Sequence, residues 1–279
     1  MSNPIADPLV ELPDTSPTAD LVRLEATESG AVTVLMNRPH RKNAFDADLI
    51  SALAEAFETL RGAEGVRVVF LRGAGGTFSA GADLDWMRAA VDRTESDNRE
   101  DAYAMAHMLK ALWDLPQLTV ALVEGGVFGG GVGVAAACDL AVATADARFS
   151  FSEVKLGLIP ATISPYVVAA IGPRAARGLF ATGQVFDAEH ALRIGLVGEV
   201  VADAQALTAA KDRIAAEMIA CAPGAVADAK QLASDVYAHK IDHGLMEETA
   251  KRIAAARVGE EGQEGVRAFL ERRKPAWAS

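Results

Sequence analysis

One carboxylate and two runs of small residues are the parts of this sequence that can do chemistry together. Glu153 stands in "FSFSEVKLGLIP", and the runs are "GAGGTFSAGADLDWM" and "VFGGGVGVAAACD". Each run follows an apolar stretch that reads as a buried strand, and each leads into a helix pattern. Glycine and alanine let a backbone approach a ligand closely. A helix N-terminus adds unpaired N–H groups at the positive end of its dipole. Two such amides meeting at one oxygen form an oxyanion hole, which stabilises charge developing on a carbonyl. A neighbouring carboxylate then supplies general acid–base transfer. Small residues also serve tight helix–sheet packing, which accounts for either run alone; the pair together with Glu153 points to chemistry.

Gly131, Gly133 and Ala136 also fit G-x-G-x-x-A, the pattern of a loop that cradles a pyrophosphate. That fingerprint needs an acidic residue about twenty positions on, at the end of the next parallel strand. Glu153 lies in this range but follows two short strand patterns and a turn, so the dinucleotide reading ranks below the oxyanion reading. His239 and His243 form H-x-x-x-H, yet Lys240 stands where a zinc protease requires glutamate, so the pair reads as a solvated helix end. "TFSAG", Thr77 to Gly81, misses G-x-S-x-G at its first position, and the five histidines offer no placeable triad partner. Cys138 and Cys221 form neither C-x-x-C nor a zinc spacing and read as reduced thiols. No metal site is expected.

The elements that must position these residues follow from periodicity. "LVRLEATESGAVTVLMN" reads as two strands around a Glu28–Gly30 turn, and "NRPHRKNAF" as a basic loop. Leu49, Leu53, Ala56, Phe57 and Leu60 recur at helical spacing between an Asp46 N-cap and a Gly62 stop. "VRVVFLRG" and "LTVALVEG" read as buried strands, and "EDAYAMAHMLKALWDLP" as a helix ending before Pro116. "LAVATADARFSF" reads as two short strands around a turn. Three short helices ("ISPYVVAAIG", "PRAARGLFATG", "DAEHALRIG") and a strand remnant "LVGEVV" come next. Helix patterns fill the chain from about Ala204. The expected organisation is a tail over residues 1–20, a core domain over 21–203 and a helical region over 204–279.

Bulk properties narrow the partners. With 279 residues and 51% hydrophobic content, the chain can bury a sizeable core. A formal net charge of −11 argues against nucleic acid or an anionic membrane as the main partner. The first twenty residues carry four prolines and no Lys or Arg, which reads as a flexible tail and not as a secretory or transit signal. No segment has the length and apolarity of a membrane span, and the expected location is cytoplasmic.

"NRPHRKNAF", "FSAGADLDWM", "GGVFGGGVG…ACDLAVA" and "FSFSEVKLGLIP" occur in the order and spacing of the enoyl-CoA hydratase/isomerase (crotonase) superfamily, which the chain resembles from about Leu21 to Trp277. "AGADLDWM", "SEVKLGLIPATISPYVV" and "GQEGVRAFLERRKPAW" most resemble the bacterial methylglutaconyl-CoA hydratase type of leucine breakdown. The resemblance implies an α/β, crotonase-like fold: repeated ββα units, a twisted sheet and a C-terminal helical region that mediates trimers, which often pair into hexamers. It implies an acyl-CoA substrate and no further cofactor, with CoA entering as part of the thioester.

The resemblance places the oxyanion amides on Ala82 and Gly130 and an acid/base on Glu153. A first glutamate should stand three residues after the oxyanion glycine, and Gly133 is there instead. That departure leaves hydration, isomerase or other enolate chemistry, and a non-catalytic CoA-binding role as the readings to separate. Asp85, Ser152 and Tyr166 are conceivable helpers. For CoA, the resemblance implies Arg41 or Lys42 near the phosphates, with Arg38 in the same basic loop. It further implies Ala44 and the Ala80–Leu84 segment, Asp83 included, along pantetheine and adenine, and Phe269 and Arg272 from a neighbouring subunit. A glutaconyl-type carboxylate would need a cation, for which Arg88 and Lys155 are candidates.

Overall fold

The structure is a computed structural model that describes residues 20–278, so the tail expected over residues 1–20 lies, apart from Asp20, outside the described residues. From the N-terminus, β1 (Val22–Ala26) and β2 (Ala31–Met36) form the expected antiparallel pair. Helix α1 (Ala47–Arg61) starts where Asp46 accepts a hydrogen bond from Leu49 N at 2.9 Å and stops at Gly62. Strand β3 (Val68–Gly73), α2 (Leu84–Ala90) and α3 (Glu95–Trp113) follow. Next come β4 (Leu118–Val123), β5 (Gly126–Phe128) and α4 (Gly130–Ala137), then β6 (Leu140–Thr144) and β7 (Arg148–Ser150). Helix α5 (Ser164–Thr182) joins two of the expected short helices across a kink, because Gly172 has φ 72° and ψ 160° and Pro173 follows it. The chain continues through β8 (Phe186–Asp187), α6 (Ala188–Arg193) and β9 (Glu199–Val201). It ends in α7 (Ala204–Ile219), α8 (Pro223–Val236), α9 (His243–Val258) and α10 (Glu260–Glu271).

The strands enter two sheets. The main sheet has six strands in the order β1-β2-β3-β4-β6-β9, parallel except for β1. The smaller sheet orders β5-β7-β8, with β5 and β7 parallel. The strands β6 and β7 around one turn therefore do not pair with each other. Asp146 accepts from Thr144 Oγ1 at 2.6 Å inside the turn, and Arg148 N then donates to Gly125 O at 2.9 Å, which hands the chain to the second sheet. The same hop is made between β4 and β5. Earlier in the chain it survives as single bridges, Ser79 with Val127 and Phe45 with Ala82. Each unit is thus a long strand, a short strand or bridge, and a helix.

The central strands β2, β3, β4 and β6 are buried on both faces, which is why they read as near-continuous apolar runs, whereas the edge strand β1 alternates and exposes Arg23 and Glu25. Val69 and Leu71 of β3 pack with α1, α3, α4 and α5, whereas Val68 and Phe70 face Leu207, Ala210 and Ile214 of α7. Beyond α7 two cations tie the later helices to the body. Arg67 donates to Trp277 O at 2.9 Å, Ile219 O at 3.3 Å and Cys221 O. Lys230 of α8 donates to Leu115 O (2.7 Å) and Gln117 O (2.6 Å) and pairs with Asp139 (2.7 Å).

Leu207 is fully buried in the interface between α7 and the sheet. Leu207→Ala should lower stability by about 2–5 kcal/mol, as for other large-to-small core changes. Urea unfolding of the purified variant measures this, and a loss well under 1 kcal/mol would mean that α7 does not close that face.

Candidate active site

The basic loop is shaped by two consecutive left-handed residues, Lys42 (φ 50°) and Asn43 (φ 53°). Asn43 is fully buried and welds this loop to the first glycine run: its Nδ2 donates to Ala74 O (2.9 Å) and Thr77 O (2.7 Å), and its Oδ1 accepts from Arg38 N (2.9 Å). Arg38 is also buried. Its guanidinium donates to Ala44 O at 2.6 Å and pairs with Asp46 at 2.8 Å and Asp83 at 3.3 Å. Asp83 caps α2, accepting from Asp85 N at 2.8 Å and Trp86 N at 3.4 Å. Burial works against the charge on Asp83, yet these two amides and Arg38 hold its carboxyl below the usual carboxylate range.

The two glycine runs lie directly against each other. Ser79 N donates to Gly126 O at 3.1 Å, and Phe128 N donates to Ser79 O at 3.0 Å. The hydroxyl of Ser79 is spent within the loop, donating to Asn43 O (2.8 Å) and accepting from Gly81 N (3.2 Å). Glycine is required on both sides. A Cβ on Gly81 (φ 89°) would lie 2.9 Å from Phe128 O, and one on Gly131 would lie 2.9 Å from Ser79 Cβ.

This contact aims two amides. Phe45 N donates to Gly81 O (2.7 Å) and Asp83 N donates to Phe45 O (2.8 Å), so the intervening Ala82 turns its N–H to the opposite edge. At α4, Gly129 O accepts from Val132 N (3.0 Å) and Gly133 N (3.2 Å), leaving Gly130 as a free N-terminal amide. Neither Ala82 N nor Gly130 N has an acceptor among the described residues. Phe45 and Met105 form a wall behind Gly130, within 3.2 Å and 3.0 Å of where its Cβ would stand.

Glu153 faces the same turn. It begins a one-turn 3-10 helix, Glu153–Leu156, and its Oε1 lies 3.1 Å from the Cβ position of Gly129. Its Oε2 is buried without a hydrogen-bond partner among the described residues. Neither Lys155 nor Arg148 pairs with it; Arg148 donates instead to Ala147 O at 2.9 Å. Burial pushes the Glu153 carboxyl above the usual range, opposed only by its own backbone amide. A desolvated carboxyl against the turn that carries one unused amide, with a second on the adjoining loop, can move a proton at a carbon next to a polarised carbonyl.

Residues 26–279 match the enoyl-CoA hydratase/isomerase family. An enoyl-CoA hydratase from Shewanella pealeana superposes with a TM-score of 0.88 at 37% identity, over 94% of this chain and 100% of that one. The enoyl-CoA hydratase AKT6-1 of Alternaria alternata is 32% identical over 249 residues, 88% of this chain and 80% of its own length. The carnitinyl-CoA dehydratase of Salmonella arizonae is 32% identical over 260 residues, 91% of this chain and 97% of its own length. The chain belongs to the enoyl-CoA hydratase/isomerase family.

The other residues singled out in the sequence fall unevenly around this family site. Arg41 is half-exposed and pairs with Asp85 at 3.0 Å, and Lys42 is exposed beside it. Ala44 is buried and its carbonyl is taken by Arg38, and the Asp83 carboxylate is taken by Arg38 and the α2 cap. Ala80 is half-buried and donates to Lys42 O at 2.9 Å, while Leu84 is exposed. Phe269 is 82% exposed on α10, and Arg272 ends that helix with φ 55°. Arg88 pairs with Asp85, whereas Lys155 is exposed with no ion pair among the described residues. Tyr166 packs against Trp113 with ring centroids 5.5 Å apart and planes inclined at 58°. Ser152 precedes the Glu153 turn without capping it. His239 and His243 lie outside one helix turn, His243 pairing with Glu247 at 3.6 Å. Asn43 and Ser79 are the positioning residues that motif reasoning passed over. The sequence signals for them were faint: an Asn in a basic loop and a Ser inside a glycine run.

The raised carboxyl sets a sign for stability. Below the ordinary glutamate value the parent and Glu153→Gln both carry a neutral side chain and should be equally stable. As pH rises through the raised value the parent must ionise a desolvated group, so it should fall behind the variant. Thermal unfolding across a pH series tests this; a parent more stable than the variant at neutral pH would mean that a favourable partner holds the carboxylate.

Proposed function

We propose that this protein is a hydratase that adds water across the 2,3 double bond of an acyl-CoA thioester. The observation that carries the reading is the desolvated Glu153 carboxyl, one oxygen of it unpartnered among the described residues, set against the α4 N-terminal turn that carries the free amide of Gly130; the free amide of Ala82 lies on the adjoining loop. The amides hold the thioester oxygen, drawing electron density from Cβ. Glu153 takes a proton from water as its oxygen bonds to Cβ, and the alkene electrons move onto the enolate oxygen. Glu153 then returns the proton to Cα, restoring the carbonyl and its own carboxylate. One well-placed oxyanion donor is worth about 3–4 kcal/mol in the transition state. Relatives named as an enoyl-CoA hydratase and a carnitinyl-CoA dehydratase support the reading, since adding and removing water are the two directions of one reaction.

For CoA, the reading assigns the phosphates to Arg41 or Lys42 and the pantetheine and adenine to the backbone of Ala80, Asp83 and Leu84. The side chain of Asp83 is already engaged and takes no part. Among acyl groups, a 3-methylglutaconyl-type chain is the finer proposal, supported by the likeness of "SEVKLGLIPATISPYVV" and "AGADLDWM" to that type and by Lys155 as an unpaired cation two residues from Glu153. Met246, Ile253, Val258, Val266, Phe269 and Leu270 leave α9 and α10 with exposed apolar side chains, which supports a homotrimer or dimer of trimers. In that assembly Phe269 and Arg272 would serve a neighbour's CoA.

Glu153→Gln should cut kcat by about a hundredfold or more while leaving KM within a few-fold. Turnover close to the parent's would remove Glu153 from the mechanism. Parent enzyme given 2-enoyl-CoA esters, 3-methylglutaconyl-CoA among them, should yield products heavier by one water by mass spectrometry. Interconversion of 2- and 3-enoyl-CoA without mass gain would make it an isomerase, and CoA binding without turnover would make it a binding protein. Sedimentation velocity should show three or six chains, and a monomer would end the interface proposal.

A further inference from the structure

We propose that Ile163 is a positioning residue that holds Glu153 in register with the N-terminal turn of α4 by packing its side chain into the space left by Gly133. This rests on the catalytic role given to Glu153 above.

Two residues that are each poorly suited to their local place are suited to one another. Gly133 lies inside α4 with ordinary helical backbone, so no positive φ requires it, and glycine weakens a helix interior. Its use is space. A Cβ at position 133 would stand 2.1 Å from Ile163 Cγ2 and 2.6 Å from Ile163 Cβ. Ile163 occupies the N-cap of α5, where it makes no side-chain capping bond and where a small polar residue serves better. It is nevertheless 2% exposed, buried in the main core. Each methyl of a β-branched side chain has a fixed direction, which makes Ile a stiff knob for a hole of this size.

The contact bounds the segment that carries the carboxylate. At one end Glu153 lies against Gly129, and at the other Ile163 lies against Gly133, one turn further along α4. Between them Lys155 to Ile159 are exposed. Internal bonds shape the segment, Leu158 N to Glu153 O at 3.0 Å and Ala161 N to Ile159 O at 2.8 Å, without fastening it to α4. One oxygen of the Glu153 carboxyl has no partner among the described residues, and the amide that interacts with the carboxyl is Glu153's own, so its position depends on where the backbone is pinned. The Gly133 contact also accounts for the missing second carboxylate, because any side chain at 133 would displace Ile163 and the segment with it.

The test compares shape at constant apolar character. Ile163→Val keeps the branch that fills the hole and should retain kcat within about twofold. Ile163→Leu keeps the volume but moves the branch outward, and should lower kcat about tenfold or more with KM nearly unchanged. Gly133→Ala should lower kcat similarly, and Ile163→Gly added to it should restore part of the loss, since only Ile163 Cα, at 3.6 Å, then faces the new methyl. Far-ultraviolet circular dichroism and thermal unfolding confirm that the variants compared are folded. Equal kcat for the Val and Leu variants, or no recovery in the double variant, would overturn the proposal. Glu153→Gln is measured alongside: if it is inactive while Ile163→Leu is normal, only the positioning role fails, whereas an active Glu153→Gln removes the reading on which it rests.

Discussion

Two backbones meeting without side chains between them is the constraint on which the rest of this molecule depends. Ser79 and Val127 bridge directly, and glycines at 81 and 131 let the flanking turns close to contact distance. The bonds themselves contribute little net stability, each about 0.5–1.5 kcal/mol. Their consequence is geometric. With Gly81 O and Asp83 N committed to Phe45, Ala82 has one direction left for its amide. With Gly129 O committed to α4, Gly130 has one as well. The buried Arg38–Asp83 pair and the Asn43 weld stabilise the loops that carry this contact, so charged groups in the basic loop serve architecture as much as recognition.

Glu153 is the opposite case. In the neighbouring loops the buried polar groups are satisfied: Asn43 makes three hydrogen bonds and Asp83 accepts from two amides and Arg38. One oxygen of Glu153 is left bare in a desolvated position. Such a group costs folding free energy, and it is tolerated where the resulting rise in proton affinity is of use. A carboxyl whose proton affinity lies closer to neutrality can both accept and return a proton, which is the demand of adding water across an alkene with a single acid.

Local signals in the sequence were strong wherever a short-range rule decided the outcome. Asp46 and Gly62 bound α1 because capping is a matter of a few residues. The glycine runs and Glu153 were legible as a set because a helix N-terminus and a carboxylate have chemistry independent of the fold around them. Partner choice was not legible. "LAVATADARFSF" contains two strands, but nothing within it says that each joins a different sheet, since that depends on Gly125 and β5 arriving from elsewhere. Nor does the sequence tell that the side chain of Asp83 is held by Arg38, forty-five residues before it. Gly133 read as an absence, and only the position of Ile163 shows what fills the place.

The placement of α7 has a consequence for how the chain must be made. All six strands of the main sheet precede it, so the face formed by Val68, Phe70, Val120, Leu122 and Val142 is complete before its cover has been synthesised. During that interval a nascent chain carries an open apolar plane, the kind of surface that draws chaperones or sticks to its neighbours. Arg67 then has a temporal role as well as a static one: its guanidinium gathers carbonyls from residues 219, 221 and 277 and latches the late-arriving helix over a sheet that had been waiting for it.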